Sequence, residues 1–254
     1  ISSPSGNTFR ERLPLGGIGI SRYLLDSQLA MEARNSGAQI LEKSSVENFR
    51  ESAAGFEIEL NNQTYHCSGL YLTYGKGRGP GQSPRQPKKG KHYIGVKYHI
   101  RFPHPPDEIQ LHNFRNGYCG MSRVENGISC LCYLADAAEL KNSGNNIRQM
   151  EEQVLQRNPL LRDIFKNAEF LWDSPLVISG IRFGEWGSQL NNASLLGDAA
   201  GCIAPLCGNG MSMALHASKV LSTRGADAYR IFRQKELAPR IKNGSVIQAF
   251  FGNE

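Results

Sequence analysis

The 254-residue sequence predicts a mixed α/β (α+β) fold in which an antiparallel sheet is inserted between two helix-and-strand portions. Three observations predict it. Apolar residues recur at helical spacing after Ser21 and again from Met211 to Leu221. They alternate with polar residues through most of the stretch from Tyr93 to Leu134. A short apolar run, Ala193-Ser194-Leu195-Leu196, ends at Gly197-Asp198, ahead of a glycine-containing loop and the second of those helices. The expected division is residues 1–92, the inserted sheet at 93–184, and residues 185–254.

The elements follow in order. Leu13-Pro14-Leu15-Gly16-Gly17 is a glycine-rich entry, and Ser21 is a fair N-cap. Leu25, Leu29 and Ala33, four apart, predict a helix that stops at Asn35-Ser36-Gly37, with a strand starting at Ala38-Gln39-Ile40-Leu41. Phe56–Leu60 and Gln63–Cys67 flank Asn61-Asn62 and read as a hairpin; Gly69–Thr73 reads as a further strand. Residues 75–92 are rich in Gly, Pro and basic residues, with Arg85, Lys88, Lys89 and Lys91 concentrated there. They read as a solvated loop or a site for an anionic group. Ile94, Val96, Tyr98 and Ile100 alternate with Gly95, Lys97, His99 and Arg101. Turns at Asn116-Gly117 and Asn126-Gly127 then separate three more strands, making four antiparallel strands of which the last three form a meander. Residues 147–156 read as a helix stopped by Asn158-Pro159, 160–168 as a second, 176–183 as a strand, and 225–240 as a helix.

Composition narrows the function classes. Residues are 40% hydrophobic, enough for a real core, yet no run approaches the ~18 apolar residues of a membrane span. The net charge of +6 is spread along the chain, and basic residues are not interleaved with aromatics, so nucleic acid is not an expected partner. The six cysteines form no C-x-x-C, and no His pair stands at zinc spacing, so no metal is expected. Cys130 and Cys132 fall on one side of a strand and read as buried free thiols; a reducing, cytoplasmic compartment is expected. No P-loop, H-E-x-x-H or Ser-His-Asp order can be assembled, and Glu151-Glu152 look solvated on their helix. The chain does not begin with methionine and reads as processed, truncated or a fragment.

The stretch from Leu195 to Leu215 concentrates the chemistry. A carboxylate, Asp198, emerges beside small residues at 199–201. Pro205 stiffens the crossing, and Gly208-Asn209-Gly210 leads backbone N–H groups to the start of a helix. A helix N-terminus reached through glycines favours negative charge, although such glycines also permit plain helix–strand packing. This pattern resembles the second flavin-binding motif of the FAD-dependent superfamily of aromatic hydroxylases, flavin halogenases and geranylgeranyl reductases. Ser21-Arg22-x-x-Leu25-Asp26 through Gly37-Ala38 resembles another segment of it. So does the order of the chain: an incomplete FAD-binding Rossmann-like domain with an inserted antiparallel-sheet substrate domain. The superfamily's opening G-x-G-x-x-G unit is absent from this sequence. Its Asp-Gly fingerprint is replaced by Tyr74-Gly75-Lys76, and the halogenase W-x-W-x-I-P signature is missing.

The resemblance implies an oxidoreductase of monooxygenase or double-bond reductase type, with FAD as cofactor, NAD(P)H as reductant and a small organic or isoprenoid-like substrate. It also implies that Asp198 holds the ribityl–pyrophosphate region of FAD, that Pro205, Gly208, Asn209 and Gly210 frame the isoalloxazine ring, and that Arg22 meets the phosphates or the ring edge. Tyr118 and Met121 are its candidates for the substrate wall. The alternative is a truncated, non-catalytic fragment that binds FAD weakly or not at all.

Overall fold

The computed structural model describes residues 1–77, 79–80, 92–181, 183–185, 187 and 189–251. Arg85, Lys88, Lys89 and Lys91 lie outside the described residues, as does Trp186. In chain order the elements are α1 (Arg22–Asn35), β1 (Val46–Ser52), β2 (Gly55–Leu60), β3 (Gln63–Cys67), β4 (Tyr71–Leu72), β5 (Tyr93–Arg101), β6 (Ile109–Phe114), β7 (Gly117–Arg123) and β8 (Ser129–Asp136). There follow α2 (Ala137–Asn142), α3 (Ile147–Gln153), α4 (Pro159–Asn167), β9 (Glu169–Phe170), β10 (Leu176–Ile181), β11 (Gly184–Glu185), β12 (Gln189–Leu190), β13 (Ala193–Leu195) and β14 (Gly201–Cys202). Two helices, α5 (Gly210–Phe232) and α6 (Ala238–Phe250), complete the chain. The chain forms two compact units. The first comprises Ile1–Ile40, Gly90–Ile181 and Phe250–Glu254; the second comprises Leu41–Lys89 and Arg182–Ala249.

The first unit is built on an antiparallel sheet of order β10-β5-β8-β7-β6, with β9 also paired to β5. The predicted meander is β6-β7-β8. Asn116 takes φ +59° and Asn126 φ +60°, the left-handed conformation that such turns need. The period-two pattern of β5 sends Ile94, Val96, Tyr98 and Ile100 to one face. There they pack with Met121, Leu131 and Tyr133 against Met150, Leu155, Leu161 and Ile164 from the helical layer. Asn158 does not merely stop a helix. Its side chain caps α4, with Pro159 in the first turn, and its amide donates to Ser2 Oγ at 3.0 Å and to the Ser3 and Asn113 carbonyls. No strand forms at Ala38–Leu41, and α1 has no buried residue, so its helical spacing does not translate into a packed face.

Two expectations need correction here. Glu151 is not solvated: it is 5% exposed, and its Oε1 accepts from the hydroxyls of Tyr98 and Tyr133, both at 2.8 Å. Burial holds its carboxyl above the usual carboxylate value against the opposing pull of those two hydrogen bonds. None of the cysteines forms a disulfide, but Cys132 is exposed and Cys130 only partly covered, because both lie on the face of β8 opposite the helical layer. A thiol probe under native conditions should therefore modify Cys132 first. Cys119 and Cys202, both buried, should react only on unfolding, and equal labelling rates at all three would contradict this arrangement.

In the second unit, β1, β2 and β3 form the predicted hairpin and its neighbour, with Asn61 and Asn62 at φ +50° and +60° in the turn. β4 runs parallel to β13, pairing Tyr71 with Ser194 and Leu72 with Leu195. Phe49, Phe56, Leu72, Ala193, Leu195, Ala199 and Ala200 make one core. Leu196, Ala217, Val220, Leu221, Tyr229 and Leu237 make another beneath the helices. The helix predicted over 211–221 extends through Phe232, with a kink at Gly225 (φ +81°), and continues through a π-turn at Arg233–Leu237 into α6.

Candidate functional site

The site builds up from β13. The strand delivers Leu195 and Leu196 into the two cores, and the chain then turns at Gly197, φ +59°. A Cβ on Gly197 would sit 3.7 Å from Ala214 Cβ, so the turn lies directly against α5. Asp198 follows in a single 3-10 turn closed by the Ala200 N–H donating to the Gly197 carbonyl at 3.0 Å. Two buried side chains of the helical run brace this segment. The Tyr229 hydroxyl donates to the Leu195 carbonyl, and Arg233, 4% exposed, donates from Nη2 to the Ala200 carbonyl at 3.1 Å. A cavity of about 20 Å³, room for one water, lies among Asp198, Gly210, Tyr229 and Arg233.

Beyond β14, Pro205 opens a second 3-10 turn that ends at Gly208, φ +65°. A side chain at Gly208 would meet nothing within 4 Å, so its backbone faces open space. Asn209 is the N-cap of the 23-residue α5 but makes no side-chain capping bond. The first N–H groups of a helix have no intrahelical partner, and here the capping residue does not cover them. The arrangement therefore offers oriented donors and the positive end of a helix dipole beside a glycine surface.

The Asp198 carboxylate faces Lys76 Nζ at 3.9 Å, and each side chain is 38% exposed. The thiol of Cys202 lies near both and donates to the Ile203 carbonyl at 3.4 Å. Burial, with Asp198 adding to it, pushes that thiol up to about 11. Lys76 comes from the loop after β4, the parallel neighbour of β13, so the two strand ends bring the pair together. Also beside β4, a larger cavity of about 570 Å³ is lined by residues including Val46, Phe49, Leu70 and Tyr74. Among the described residues there is no metal-ligating cluster and no helix long and apolar enough to cross a membrane.

Of the predicted site residues, Asp198, Pro205, Gly208, Asn209 and Gly210 fall on one continuous segment of the second unit. Arg22 belongs to the first unit. Its Nε and Nη2 donate to the two carboxylate oxygens of Asp26 at 3.1 and 3.0 Å, one turn along α1, with both side chains more than half exposed. Tyr118 and Met121 also belong to the first unit, but differ by an odd number of positions along β7 and so point to opposite sheet faces. Met121, 1% exposed, is core against the helical layer, while the Tyr118 ring meets Phe251 edge-on. One wall cannot carry both, which corrects that pairing. Sequence reasoning did not select Arg233, Tyr229 or Lys76. Lys76 had a visible signal in its flanking glycines. The other two are recognisable only from the helical run that folds them back onto β13.

No family model matches the chain. A curated relative, conditioned medium factor receptor 1 of Dictyostelium discoideum, is 24% identical over 223 residues, which is 81% of this chain and 42% of that protein. Among solved structures, the flavin-dependent halogenase CmlS aligns with TM-score 0.65 at 18% identity, over 91% of this chain and 44% of that one. A geranylgeranyl bacteriochlorophyll reductase-like protein from Thermoplasma acidophilum aligns with TM-score 0.66 at 17% identity, over 90% and 62%. HpxO of Klebsiella pneumoniae, solved with FAD and uric acid, aligns with TM-score 0.61 at 16% identity, over 90% and 63%. The α/β fold is thus that of FAD-dependent halogenases, monooxygenases and reductase-like flavoproteins. The chain spans less than two thirds of the length of each of these proteins.

Proposed function

We propose that this chain carries the ring-binding half of an FAD-dependent oxidoreductase that uses NAD(P)H to oxygenate, or to reduce a double bond in, a small organic or isoprenoid-like substrate. The observation that carries the proposal is the uncapped start of α5 behind left-handed, open Gly208, with Asp198 presented at the end of β13 in the same unit. These residues fit a flavin: a glycine surface admits a flat ring, helix N–H groups suit the N1–C2=O edge, and a carboxylate accepts from ribityl hydroxyls. A flavin held by Asp198 and the start of α5 would supply the redox chemistry for oxygenation or double-bond reduction, with NAD(P)H as its proposed reductant. The protein groups bind and orient. Asp198 accepts hydrogen bonds, the α5 terminus stabilises negative charge at the ring edge, and Pro205 holds the approach rigid. Arg22 and Tyr118 remain candidates for contacts made outside this segment. The lengths that the chain leaves unmatched in its relatives support the second reading, in which this chain alone is a non-catalytic part of such a flavoprotein.

Titration with FAD, followed by quenching of flavin fluorescence, tests the first reading; saturable binding is expected, and none at all would reject it in favour of a fragment that does not bind FAD. Gly210→Ala sharpens the test. Gly210 does not need a positive φ, and an added Cβ would meet only Ile203 Cγ2 at ordinary contact distance, 3.9 Å. Alanine in a helix should therefore maintain or raise the melting temperature. With the ring against the helix start, flavin affinity or reduction potential should nonetheless change. A fall in stability with flavin spectrum and affinity unaltered would show that the glycine serves packing alone.

A further inference from the structure

We propose that Lys76 recognises the phosphate of the flavin nucleotide, so that the chain distinguishes phosphorylated flavins from riboflavin; this rests on the flavin reading above. Lys76 stands where two parallel strands end side by side, in a loop whose Gly75 has φ +72° and open space around a would-be Cβ. Its ammonium is 3.9 Å from Asp198, too far for the short contact of a closed lysine–carboxylate hydrogen bond. Both groups are partly exposed, so the pair is accessible rather than locked away. The Cys202 thiol, 2% exposed, backs the pair from within. An ammonium held beside a carboxylate but not closed upon it can accept a second anion and offsets the repulsion that Asp198 alone would exert on a phosphate. Asp198 then takes ribityl hydroxyls and Lys76 the adjoining phosphate. Lysine serves well here because it acts as a point charge and needs no bidentate geometry.

The experiment compares riboflavin, FMN and FAD binding to the full chain and to Lys76→Gln and Lys76→Arg. FMN should bind the unmodified chain about tenfold more tightly than riboflavin, and added salt should erode that preference. Lys76→Gln should abolish the preference while leaving riboflavin affinity within about twofold, and Lys76→Arg should restore most of it. Thermal melting of both variants should match the parent, since Lys76 is exposed. Equal effects of Lys76→Gln on riboflavin and FMN, or no effect on either, overturn the assignment and leave the flavin reading standing. Loss of NADP+ affinity in Lys76→Gln with FMN affinity intact also overturns it, placing the nicotinamide nucleotide's phosphate at Lys76. Failure of the unmodified chain to bind any of the three flavins rejects the flavin reading itself.

Discussion

Asp198→Ala should weaken flavin binding by about 1.5–3 kcal/mol, the range of a hydrogen bond to a charged group. The carboxylate is held in a turn that α5 backs at Gly197, and the same turn is braced by Arg233 through the Ala200 carbonyl. Its position is thus set before any ligand arrives, and little ordering cost is incurred on binding. Partial exposure to water puts the expected loss toward the lower end, about tenfold. Asp198→Asn is the informative companion. It keeps an acceptor of the same shape but removes the charge that Lys76 faces. Lys76 should then hold the flavin phosphate more strongly and recover part of the loss for FMN, but not for riboflavin. Retention of flavin by Asp198→Ala equal to that of the parent would remove Asp198 from the site.

Glu151→Ala should destabilise the first unit by about 3 kcal/mol, because truncation leaves two buried tyrosine hydroxyls without their shared acceptor and opens space beneath the sheet. Tyr133 is 1% exposed and Tyr98 8%, so neither hydroxyl readily finds water instead. Replacing Glu151 by leucine together with Tyr98→Phe and Tyr133→Phe should cost much less, since no polar group then stays unpaired. The pH dependence has a definite sign. Because the folded carboxyl titrates above its ordinary value of 4.5, the folded state binds more protons than the unfolded state between the two values. The stability of the parent relative to Glu151→Gln should therefore be greatest below 4.5 and fall as pH rises through the folded value. Chemical denaturation of both proteins across that window measures it. A difference that rises with pH would show that the tyrosine hydrogen bonds outweigh burial.

What the sequence determined by itself is what depends on neighbours along the chain. Alternation in β5 selected the buried face of the sheet, and asparagines at 116 and 126 marked its turns because they tolerate positive φ. The glycines, Asp198 and Pro205 located the segment that presents a helix start, because each acts through its own backbone geometry. Only the tertiary structure decided what depends on residues far apart. Glu151 and Glu152 look alike on a short helix, yet one lies under two tyrosines of the sheet. Met121 reads as a candidate wall until strand parity and the helical layer place it in the core. Arg233 reaches Ala200, and Lys76 reaches Asp198, across 33 and 122 positions respectively. Local sequence specifies backbone preference and periodicity. Which polar groups share a buried space is decided by packing between segments, and packing has no local signature.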